Sequence, residues 1–147
     1  MRETKNHYLT ENFSLAEMIK SDTAEKRGID NVPNSQDIID NLTALCENVL
    51  QPARDQLGSP IIVNSGYRCP QLNLAVGGVV KSQHLKGQAA DIRPKDMTQY
   101  TRLWAIMLFL PFDQLIDEIR CNGRKRWIHV SFRRDGRNRR KVLTIKK

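Results

Sequence analysis

An α+β fold, with N-terminal helices packed on a mainly antiparallel sheet, is what the 147-residue sequence predicts. From Leu15 to Leu57 apolar residues recur at helical spacing. After Pro60 the pattern changes to short β-branched runs bounded by Gly, Pro and Asn. The length fits one domain, taken as residues 1–147, with a core over 13–132 and a basic tail over 133–147.

Ser14, followed three residues later by Glu17, makes a capping-box pattern that opens a short helix carrying Leu15, Met18 and Ile19. A second short helix or turn runs from Ser21 to Arg27 and stops at Gly28. Ser35 caps a long amphipathic helix with Ile38, Ile39, Leu42, Leu45, Val49 and Leu50 at helical spacing. Pro52 is expected to kink that helix, which ends near Gly58. Ile61 to Ser65 reads as a strand. Cys69 to Val80 reads as a loop with a helical turn, broken by Gly77-Gly78. Gln88 to Arg93 is a second strand, and Met97 to Leu110 is a helix stopped by Pro111. Phe112 to Arg120 and Arg126 to Phe132 are strands around Asn122-Gly123, and Lys141 to Ile145 adds an edge strand. Helices come first and an antiparallel meander comes last.

Composition narrows the function classes. No apolar run approaches the roughly 20 residues of a membrane helix. Met1 to Asn12 lacks the apolar centre of a secretory signal, so a chain that is cytoplasmic as synthesised is expected. Cys46, Cys69 and Cys121 form neither a disulfide framework nor a CxxC metal pattern. The net charge of +8 is unevenly placed: twelve of the 24 Lys and Arg lie between Arg120 and Lys147, against the single acid Asp135. Such a stretch attracts polyanions without naming one. A nucleic-acid surface is disfavoured, because the only aromatics there, Trp127 and Phe132, belong to a predicted strand and not to a stacking platform.

Two of the three histidines carry the chemistry. His7 lies in the polar lead-in and is read as incidental. His84 precedes Gly87, where the chain turns sharply, and Asp91 follows on a strand among Ala89, Ala90 and Ile92. A carboxylate so flanked needs a cation, since burying it unpaired costs several kcal/mol. An arginine partner and a metal shared with His84 are the two explanations. The final hairpin supplies His129. With a two-residue turn at Asn122-Gly123, Cys121 faces Arg124, Glu118 faces Trp127 and Ile116 faces His129. Glu118 and His129 then share a face, diagonally about 7–8 Å apart between backbones. Asp117 points to the other face; a one-residue slip would exchange the two. Two histidines and one carboxylate, with a fourth position left for water, describe an open zinc site in which Glu118 is placed to take a proton.

Ser65-Gly66-Tyr67-Arg68, Asn73, Gly77-Gly78, Ser82-x-His84-x-x-Gly87-x-Ala89-x-Asp91 and Trp127-x-His129-x-Ser131 together resemble the zinc D-Ala-D-Ala carboxypeptidase family, above all its short stand-alone and phage-associated members. Phe13-Ser14-Leu15-x-Glu17-Met18 and Gly28-Ile29-Asp30-Asn31 share the likeness, which thus covers residues 13–132. The resemblance implies a hedgehog/DD-peptidase-like fold and zinc-dependent hydrolysis of amide bonds in bacterial cell-wall (peptidoglycan) peptides. It implies His84, Asp91 and His129 as zinc ligands. Arg68 would bind the substrate carbonyl and its developing oxyanion, and Ser82 would support the ligands or touch substrate. One departure stands out: several branches place a carboxylate three residues before the last histidine, where this chain has Arg126, so Glu118 must serve from the facing strand. A monomeric cell-wall peptidase is the leading expectation, possessing a basic tail suited to anionic wall polymer and reaching the wall after release, as a phage or prophage lysis enzyme does. A zinc-containing binding module without activity is the alternative, against which the presence of Arg68 and Glu118 speaks.

Overall fold

The computed structural model describes residues 7–147; the first six residues of the polar lead-in lie outside it. Strands β1 (Tyr8–Thr10) and β2 (Phe13–Ser14) form a small antiparallel pair leading into α1 (Leu15–Ile19). Both bonds of the capping box are present at Ser14 and Glu17. Helix α2 (Asp22–Arg27) is capped by Ser21 and ends at Gly28, and α3 (Gln36–Leu45) is capped by Ser35. Pro52 does not break the long helix. The five residues Cys46–Leu50 widen into a π turn, after which α4 (Gln51–Leu57) continues with Pro52 in its first turn. The wider turn absorbs the missing N–H and the ring bulk of the proline. Strand β3 (Ile61–Ser65), α5 (Pro70–Ala75), β4 (Ala89–Pro94), α6 (Tyr100–Met107), β5 (Gln114–Arg120), β6 (Lys125–Ser131) and β7 (Lys141–Lys146) complete the chain.

The class is α+β, with a mixed five-stranded sheet in place of the expected meander. The strand order is β3-β4-β6-β5-β7. Three pairings are antiparallel and β5–β7 is parallel. Strand β6 returns between β4 and β5, and this brings His129 directly opposite Asp91. One face of the sheet packs Ala90, Ile92, Leu115, Ile128 and Val130 against Leu42, Leu45, Val49, Leu103 and Met107 of the helices. The opposite face carries Asp91, His129, Trp127, Glu118 and Arg120.

Beyond residue 132 the chain is tied to the domain. Arg139 donates to both carboxylate oxygens of Asp113, which also accepts from Gln83, the neighbour of His84. Arg134 reaches Asn41, Asp37 and Asp40, and Arg140 donates to the Leu108 and Leu110 carbonyls. Arg137, Lys141, Lys146 and Lys147 remain exposed. Burial pushes the Asp113 carboxyl up, but the bonds from Arg139 and Gln83 outweigh it and hold its pKa at about 2. A carboxyl depressed in the folded state stabilises above its ordinary pKa and loses that contribution as pH falls from about 4 towards 2. Asp113→Ala is therefore expected to lower the melting temperature by about 5 °C at neutral pH, roughly 2 kcal/mol for charged hydrogen bonds lost from a buried site. A thermal scan at pH 7 and again near pH 2.5 checks it; an equal gap between variant and wild type at both pH values would refute the assignment.

Candidate metal centre

Each of the three central side chains is delivered by a different element. His84 sits in a 3-10 turn, Gln83–Lys86, that Ser82 caps by accepting the His84 N–H at 3.1 Å. Gly87 ends the turn at φ +72°, and a Cβ there would meet the Ile38 carbonyl oxygen, so the position is closed to other residues on two counts. Asp91 lies on β4 and His129 on β6, opposite one another. Asp91 Oδ1 is 3.4 Å from His84 Nε2 and 3.0 Å from His129 Nδ1. One ligand atom from each of the three lies within 4.8 Å of the others. Tetrahedral zinc with bonds of about 2.0–2.2 Å separates its ligand atoms by roughly 3.3–3.5 Å, so the cluster has the scale of such a site.

The hydrogen-bond roles favour a cation there. His84 Nδ1 is 2.7 Å from the Gly66 carbonyl, which only accepts, so Nδ1 carries the proton. Nε2 of a neutral ring then aims its lone pair at the Asp91 carboxylate. Two acceptors facing each other at 3.4 Å repel unless a cation joins them. Gly66 can approach so closely because it lacks a Cβ, which would run into the Met18 carbonyl. Burial pushes the Asp91 carboxyl up, and positive charge beside it, on protonated His84 and His129 or on a cation in place of those protons, holds it well below the ordinary carboxylate range. Of the two explanations open for Asp91, the arginine partner is not found: among the described residues its ion-pair contacts are the two histidines alone. His7 is exposed and stands outside the cluster.

Around the cluster the register matches the hairpin count. Glu118 faces Trp127 and Ile116 faces His129, although the connection is a four-residue loop, 121–124, in place of the two-residue turn. An even-length loop preserves which side chains share a face. Asp117 turns to the core face, where Arg126 clasps it with two bonds and Tyr100 donates a third. Arg126 is thus a structural partner of Asp117 and leaves the site face free. Glu118 is paired with Arg120 at 2.8 Å. Arg68 follows Gly66 and Tyr67, its N–H bonded to the His84 carbonyl. Desolvation pulls the Arg68 pKa down and the charges of Asp91 and Glu118 push it up, although the guanidinium makes no ion pair with either; its Nε has no partner.

Gly66 as the acceptor for His84, and Gln83–Asp113–Arg139 behind the turn, were not legible as functional in the sequence. The motif included Gly66, but only contact with Met18 and His84 gives it a role. Ser131 bridges strands: its Oγ accepts the Gln114 N–H and its carbonyl accepts that of Asp113.

No relative matches among curated proteins. The family model described as Peptidase M15 matches residues 11–131, a span that includes every residue of the cluster together with Arg68 and Glu118. The chain belongs to the peptidase M15 family.

Proposed function

We propose that this chain is a zinc metallopeptidase that hydrolyses amide bonds of bacterial cell-wall peptides, as a D-Ala-D-Ala carboxypeptidase or as a phage or prophage endolysin. The observation that carries the reading is the convergence of His84, Asp91 and His129 in a chain of the peptidase M15 family. Nε2 of His84, Oδ1 of Asp91 and Nδ1 of His129 would hold the metal, a donor set suited to zinc. When bound, zinc acidifies water and polarises a carbonyl. Glu118, diagonal to His129, takes the proton from the attacking water and passes it to the leaving nitrogen as the C–N bond breaks. Arg68 donates to the carbonyl oxygen as negative charge gathers on it. Buried Ser82 acts through the backbone of His84, so its role is to position that ligand.

Isolated peptidoglycan incubated with the zinc-loaded protein is expected to release peptide fragments identifiable by mass spectrometry, and a chelator is expected to abolish their release. The fragment masses name the bond. Stoichiometric zinc binding without any cut peptide would replace this reading with that of a zinc-containing binding module.

A further inference from the structure

The stretch Gly28-Ile29-Asp30-Asn31 supplies nothing to the metal cluster, yet it ends in a buried side chain that reaches the loop carrying Arg68. Gly28 closes α2. Asp30 Oδ1 then accepts the Val32 N–H at 3.0 Å, an Asx turn around Asn31. Asn31 is only 7% exposed. Its Nδ2 donates to the Ile19 carbonyl at 2.8 Å and to the Tyr67 carbonyl at 3.0 Å, and its Oδ1 accepts the Cys69 N–H at 2.8 Å. Two carbonyls face the nitrogen and an N–H faces the oxygen, so the amide has one orientation that satisfies all three.

Asn31 therefore grips the backbone on both sides of Arg68 and ties it to the last residue of α1. The same loop is held from other directions. Tyr67 donates its N–H to the Met18 carbonyl, Arg68 donates its own to the His84 carbonyl, and the Gly66 carbonyl accepts from His84 Nδ1. All of these bonds fix main chain. The Arg68 Nε is shielded and unpartnered, so the direction of the guanidinium depends on where that main chain is held. We propose that Asn31 is a positioning residue for Arg68: by holding the Tyr67 carbonyl and the Cys69 N–H, it aims the guanidinium at the oxygen of the reacting carbonyl. The proposal rests on the peptidase reading. A donor whose bond strengthens only as charge develops acts on kcat, and misplacing such a group by about 1 Å costs roughly a hundred-fold.

A double-mutant cycle on the zinc-loaded protein, with a synthetic wall peptide as substrate, tests it. Asn31→Ala is expected to lower kcat about ten- to a hundred-fold while KM stays within about three-fold and zinc affinity is unchanged. In an Arg68→Ala background the same substitution is expected to lower kcat less than about two-fold, because the group it positions is gone. Should Asn31→Ala not fold, Asn31→Asp takes its place in the cycle, keeping the shape and the acceptor for Cys69 while losing both donations. Equal losses in the two backgrounds would make Asn31 a purely structural residue and overturn the proposal. A fall in zinc affinity alongside kcat would overturn it as well, routing the effect through Gly66 and His84. Should the wild type cut no wall peptide, the peptidase reading fails, and the NMR signal of the Arg68 Nε–H decides the positioning. Exchange of that proton with solvent about ten-fold faster in the Asn31 variant supports it, and unchanged exchange overturns it.

Discussion

Glu118→Gln is expected to slow peptide hydrolysis by about 10²–10⁴-fold, the usual contribution of a positioned general base, while the protein still takes up one zinc. The substitution is close to isosteric, and the amide oxygen still accepts from Arg120, so the side chain keeps its place while losing the ability to accept a proton. Glu118 is not among the three converging ligands, so metal content should not follow activity. The neighbouring carboxylate is no substitute. Asp117 is on the core face, held by Arg126 and Tyr100. Steady-state kinetics with zinc analysis of the same preparations provides the check. An active Glu118→Gln would move the base elsewhere, and loss of zinc alongside activity would make Glu118 a ligand.

Much of this arrangement was legible because it is local. The Ser14–Glu17 capping box, the Ser35 cap and the stop at Gly28 each depend on residues within a few positions, and all three form. The face shared by Glu118 and His129 followed from strand parity, which survived a wrong turn type because the loop length stayed even. What escaped was long-range. Nothing near β6 says that it pairs with β4 as well as β5, and nothing near Lys141 says that β7 runs parallel to β5. Those pairings are set by where the whole sheet buries its apolar face, and by Arg139 reaching Asp113 across 26 residues. The π turn ahead of Pro52 escaped for another reason: a proline that reads as a kink is accommodated when packing of Val49 and Leu50 favours continuing the helix.

Asp91→Asn separates metal binding from folding. In the wild type, zinc at a hundred times its dissociation constant adds about 2.7 kcal/mol to stability, a rise of roughly 5–10 °C in melting temperature for a domain of this size. Asparagine keeps an oxygen that can accept from His129 Nδ1, so the metal-free fold has its hydrogen bond; what it lacks is the negative charge that a dication requires. The zinc-dependent rise is therefore expected to vanish, with metal affinity down by more than about a hundred-fold, beyond the loss that removal of an outer-shell partner causes. Thermal scans in zinc and in chelator read the first, and calorimetric titration the second. If Asp91→Asn and wild type rise together, the cation sits elsewhere. If the variant loses the rise while Glu118→Gln keeps it, one carboxylate holds the metal and the other moves the proton, although they share one sheet face, on the strands either side of β6.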